Sequence, residues 1–165
     1  MNWYVLYTLS QKSNKIITNL NRKKELIAFI PEYEICHRKT KEITIKPMFS
    51  NYIFVKTDLN QSEFNDLLLK MKDENDGLIK QLKNCETSAL RESEIEFFEM
   101  ILDEQYVVRL SYGYQENGIT HVTKGPLKPF EKHIVKVDKH NQCAYLDLLF
   151  FDRRIMLGID IKCKN

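Results

Sequence analysis

Two hydrophobic rhythms run through the first hundred residues. In WYVLY, residues 3 to 7, and in KPMFSNYIFV, residues 46 to 55, bulky apolar side chains occupy successive positions, so a strand built from either has no face reserved for water. In the second stretch the alternation places Tyr52 and Phe54 on one face and Ile53 and Val55 on the other. Pattern alone leaves two ways to cover the second face: helices of the same domain on both sides, or a partner molecule.

The other rhythm is helical. Ile16, Leu20 and Ile27 predict a helix from Lys12 to about Ile27, with Ser10 or Ser13 as cap and Pro31 ending the run. Lys12, Lys15, Asn19 and Arg22, at i, i+3, i+7 and i+10, form a polar stripe off the apolar one. The stretch from Gln11 to Lys24 holds five basic residues and no acid, which suits either a solvated face or a nucleic-acid surface. Residues 32 to 38 and 43 to 56 read as strands joined through HRKTKE. Asn60 with Glu63 forms a capping box, and Phe64, Leu67, Leu68 and Met71 give the following helix one buried face. A short strand over 78 to 82 precedes an acidic helix over 91 to 104, buried through Ile95, Phe98 and Leu102. Strands and helices intermixed, without Rossmann or P-loop glycines, predict an α+β sandwich closing near residue 105.

After Val107 the pattern changes. SYGYQENG, residues 111 to 118, has linker or turn composition, and residues 106 to 118 are assigned to a linker. Residues 119 to 165 then read as short strands divided by turns at 138 to 142 and 151 to 153, which predicts a small β-barrel. Its expected inward residues are Val122, Ile134, Val135, Val137, Leu146, Leu148 and Ile155.

Composition narrows the class. With 43% hydrophobic and 29% charged residues in 165, the chain is globular and has room for one ordinary domain or a domain with a small partner. No apolar run approaches the ~18 residues of a membrane helix, and MNWYVLY has no basic leader pattern, so a cytoplasmic protein is expected. Cys36, Cys85, Cys143 and Cys163 form no CxxC pair, which argues against zinc and against a disulfide framework. The net charge of +2 divides unevenly: nine basic residues against four acids in 1 to 47, seven against fourteen in 48 to 116, and nine against five in 117 to 165. Basic segments around an acidic one suit a polyanion at the ends, or solubility alone.

The order of these segments resembles a known family. WYVLY, KPMFSNYIFV, VTKGPLKPFEKHIVKVD and the distal FFDRR are similar to the NusG family of transcription elongation factors, across essentially the whole chain. EQYVVRLSYGY and RRIMLGIDI look most like the LoaP branch, specialised for antitermination. The resemblance implies an α+β fold: an antiparallel sheet with flanking helices over residues 1 to 105, then a small SH3-like β-barrel, the KOW domain. It also implies that Tyr52 and Phe54, with Tyr7 on the first strand, help form an apolar depression. That depression receives the clamp helices of the largest subunit of RNA polymerase, with the opposing lobe as a second contact. Lys12, Lys15, Asn19 and Arg22 match the surface that reads nucleic acid in specialised members, Asn19 being able to pair with a base edge. Lys124, Lys128, Lys132, Lys136, Arg153 and Arg154 would grip RNA phosphates, the ligand being an RNA hairpin or exposed DNA. A monomer without cofactor or membrane is expected.

Two features test that resemblance. Pro129 and Lys132 stand where the KOW pattern usually has glycine, and Asp152 stands in the distal glycine's place. Asp152 is therefore expected at positive φ, and the backbone at Lys132 in a relaxed conformation. The competing class is an enzyme using Cys36 with His37, or the acids of the 91 to 104 helix. It lacks a phosphate cradle, metal spacing and a nucleophile motif.

Overall fold

The structure, a computed structural model, describes residues 1 to 83 and 89 to 162; Cys85 and Cys163 lie outside the described residues. In chain order the elements are β1 (Asn2–Thr8), α1 (Ser13–Asn21), β2 (Ile27–Phe29), β3 (Glu32–Cys36), β4 (Ile43–Pro47), β5 (Tyr52–Thr57), α2 (Gln61–Lys70), β6 (Leu78–Gln81), α3 (Glu92–Ile101), β7 (Val107–Val108), β8 (Ser111–Glu116), β9 (Ile119–Lys124), β10 (Ile134–Asp138), β11 (Cys143–Phe150) and β12 (Arg153–Lys162). They fall into two compact units: residues 1–30 with 49–96, and residues 31–48 with 97–165.

The first unit is the expected mixed α/β arrangement. Its sheet has the order β2-β5-β1-β6, with antiparallel pairing throughout. Register pairs Tyr7 with Tyr52 and Val5 with Phe54. Opposed residues share a face, so Tyr4, Leu6, Ile53 and Val55 turn to the other side. There they join Ile16 and Leu20 of α1 and Phe64 of α2 in one buried core. The capping box forms as read: Asn60 Oδ1 accepts from the Glu63 amide at 3.0 Å, and Glu63 Oε2 accepts from the Asn60 amide at 2.8 Å.

Two predicted elements are shorter than the pattern implied. The first helix stops at Asn21 rather than near Ile27, because the Asn21 side chain closes a turn, donating to Ala28 O at 2.9 Å and accepting from Ala28 N at 2.7 Å. Ile27 thus begins β2. The 43 to 56 strand is two strands in different sheets. Pro47 has no amide to continue a ladder and ends β4, which is an edge strand. Tyr52 N then bonds Phe49 O at 3.1 Å and turns the chain into β5.

The second unit contains a three-stranded sheet, β4-β3-β7, and a five-stranded sheet, β10-β11-β12-β8-β9. The latter curls into a half-barrel, where a closed barrel was expected. The SYGYQE stretch read as linker is β8, paired in parallel with β12 and antiparallel with β9. Alternation of Tyr with small residues there is a strand signal that the glycine concealed. Of the expected inward residues, Val122, Leu146 and Ile155 are buried, whereas Val135 is 52% exposed. Phe98 of α3 packs edge-on to Phe150, centroids 5.0 Å apart. A Cβ on Gly158 would meet Glu34 O at 2.0 Å, so only glycine lets β12 pass this close to β3. Asp152 has φ 63° beside Phe151 at 46°, forming the two-residue hairpin turn between β11 and β12. Lys132 lies in a 3-10 turn, Lys128–His133, with Pro129 near its start, which removes the need for glycine.

Candidate partner and nucleic-acid surfaces

The face of the first sheet opposite its helical core is an aromatic layer. Trp3 meets Phe29 edge-on at 5.8 Å, Phe49 stacks on Tyr52 at 5.5 Å, and Tyr7 meets Tyr52 at 6.0 Å. Lys56 places its ammonium 4.4 Å from the Trp3 ring centroid, within cation–π range. The structure therefore brings Tyr7, Tyr52 and Phe54 together on one face, as register requires. It also buries two of them: Tyr52 is 5% and Phe54 0% exposed, while Tyr7 is half-buried. Pattern showed which way these rings point, not how far the folded chain covers them.

The α1 stripe is less uniform than its spacing. Lys15 and Arg22 are exposed. Lys12 is salt-bridged to Asp76, whose carboxyl is held below its ordinary range by that hydrogen bond and by the lysine charge. Asn19 corrects the sequence reading: it is 7% exposed, and its amide donates to Glu74 O. It anchors the segment that follows α2 instead of facing a base. Gly77, at φ 99°, would place a Cβ 2.7 Å from the Lys12 side chain, so glycine is what allows that segment to lie under the lysine.

In the second unit the six named cations are all exposed but spread across the five-stranded sheet. Lys128 and Lys132 sit in the 3-10 turn, where Lys128 Nζ also donates to Val122 O at 3.3 Å. Lys136 lies over Tyr145 on the β10 side, and Lys124 over Tyr112 on β9 at the opposite edge. Arg153 and Arg154 begin β12 at the hairpin turn. Sequence order grouped these residues; the sheet separates them. What sequence reasoning missed is the basic loop of the β3–β4 hairpin as a candidate surface. That loop exposes Arg38, Lys39 and Lys41, and Lys41 reaches Asp160 of β12 at 3.3 Å. HRKTKE was the available signal, read only as a connection.

Cys36 and His37 are not arranged as a nucleophile and its base. Cys36 is buried, and burial pushes its thiol up and away from the thiolate. His37 Nδ1 accepts from Thr40 N at 3.3 Å within the hairpin turn. Among the described residues no group of three or more His, Cys, Asp or Glu could hold a metal, and no helix is long and apolar enough to cross a membrane.

Comparison with known proteins gives one assignment. No curated protein matches the chain. The family described as "NusG: Transcription termination factor nusG" matches residues 1–99, well over half of the 165 residues and all of the first unit's strands and core helices. With that match, and with the mixed α/β sheet it covers, the chain belongs to the NusG family, whose members are non-enzymatic transcription elongation and termination factors that bind RNA polymerase.

Proposed function

We propose that this protein is a specialised antitermination factor of the LoaP type, recruited to particular operons through structured RNA. It binds the clamp helices of RNA polymerase through the aromatic face of its first sheet and disfavours the paused state. The observation that carries this reading is the family match over the unit whose one sheet face holds α1 and α2 while the other is a layer of aromatic rings. Aromatic anchors in a desolvated patch are how a modest interface gains affinity. Tyr52 and Phe54 are buried, so Tyr7, half-buried at the edge of the aromatic layer, is the ring a partner meets first.

The mechanism requires no bond chemistry. A factor that bridges the clamp and the opposing lobe shifts the polymerase only by its differential affinity for the active and paused states, about 1.4 kcal/mol for each tenfold change in their ratio. On this reading the C-terminal strands, a curled half-barrel sheet, belong to a KOW-type domain that carries the RNA contact. A second reading, a general factor coupling polymerase to a termination factor or ribosome, is favoured by the family's own description. Pro129 and Lys132, which recast the barrel loop as a 3-10 turn, favour the specialised reading. Binding of the purified chain to a clamp-helix fragment tests the polymerase contact, with Tyr7→Ala expected to weaken it by about 2 kcal/mol; unchanged binding would exclude this face. Readthrough on templates with and without a structured leader separates the two readings. Leader dependence supports the specialised one, and equal effect on both templates supports the general one.

A further inference from the structure

We infer that the second unit carries a track for an unpaired RNA strand, distinct from the barrel cations already named apart from Lys124. This rests on the reading that the protein is recruited through RNA. Three shallow depressions of that unit share lining residues and so form one path. The first lies on the β3–β4 hairpin and is lined by Arg38, Lys39 and Lys46, with His140 and Asn141 of the β10–β11 turn. Arg38 also lines the second, together with Lys41, Lys139 and Lys162. Lys162 also lines the third, with Tyr112, Tyr114 and Lys124.

Register explains the continuity. Asp160 and Lys162 of β12 are the parallel partners of Tyr112 and Tyr114 of β8, so these four side chains share a face. Lys41 reaches that face through its ion pair with Asp160. Seven cations therefore line the path against two acids, Glu42 and Asp160, and the latter is already paired. At one end Tyr114 stacks on His121, centroids 5.0 Å apart, and Lys124 stands 5.9 Å from the Tyr112 ring. A row of cations ending in ring faces is what a single strand requires: phosphates follow the charge, and unstacked bases lie on the rings. A duplex keeps its bases stacked and has no use for the rings.

The test uses the full chain with a fluorescein-labelled twelve-nucleotide oligouridylate and, in parallel, a blunt twelve-base-pair RNA duplex, titrated across salt. Wild type should bind the single strand more tightly. Tyr112→Ala with Tyr114→Ala should weaken it about tenfold or more, and Tyr112→Phe should retain binding. Arg38→Gln with Lys39→Gln, on an exposed loop where the fold is not at stake, should lower the salt slope by about 1.4. If these variants leave oligouridylate binding unchanged while changes at Lys132, Lys136, Arg153 and Arg154 abolish it, the track is overturned and RNA recruitment stands. A preference for the duplex, weakened alike by both sets, would overturn the unpaired-strand assignment. Binding of neither probe at low salt would overturn the recruitment reading itself.

Discussion

At the residue scale, burial decides what a substitution reports. Phe54 is fully buried among Trp3, Phe29 and Phe49, so Phe54→Ala should cost about 3 to 5 kcal/mol of folding stability in a urea melt. A loss below about 1 kcal/mol would mean that the face is already open. Tyr7, at the edge, is the residue that separates binding from folding. Asn19 gives a second contrast. Asn19→Ala leaves Glu74 O without its donor and should cost about 1 to 3 kcal/mol, with no change in how nucleic-acid affinity responds to salt. Lys15→Ala should leave stability intact and, if Lys15 contacts a phosphate, lower that slope by roughly one unit. The reverse pattern would restore Asn19 as a reading residue. Periodicity put both side chains on one stripe. It could not show that a segment 55 residues away closes over one of them, because that contact is non-local.

At the element scale, the local signals were legible and the long-range ones were not. The Asn60–Glu63 box and the two faces of β5 depend on neighbours in sequence, and both formed as read. The ends of α1 and α3 depend on side chains that compete for the backbone. Asp103 illustrates the second case: its Oδ1 accepts from Gln105 N and Val107 N, each at 2.9 Å, and it pairs with Arg109, which ends the helical run and starts β7. Burial pushes this carboxyl up, yet the hydrogen bonds from Val107, Arg109 and Gln105 outweigh it and hold the group below its ordinary range. A depressed carboxylate contributes stability above its unfolded pKa of about 3.9 and loses it as pH falls through the folded value. Acid unfolding should therefore show a component below about pH 4 that disappears in Asp103→Asn. An identical acid limb in the variant would remove this turn from the account.

At the scale of the whole molecule, the sequence divided the chain at residue 105, while the fold places the β3–β4 hairpin in one compact unit with the C-terminal strands. No periodicity announces such an exchange, because β3 finds β7 more than 70 residues later. The consequence is local: basic residues counted with the N-terminal segment stand beside Lys139 and Lys162, and the proposed polymerase face and RNA track belong to different units. The central claim, that the protein acts on transcribing polymerase, is tested most directly by the lifetime of a defined pause in a purified system, downstream of a structured leader. Adding the full chain should shorten that lifetime severalfold, and Tyr7→Ala should remove most of the effect. A lifetime that is unchanged or lengthened, with the chain demonstrably folded, would contradict the account.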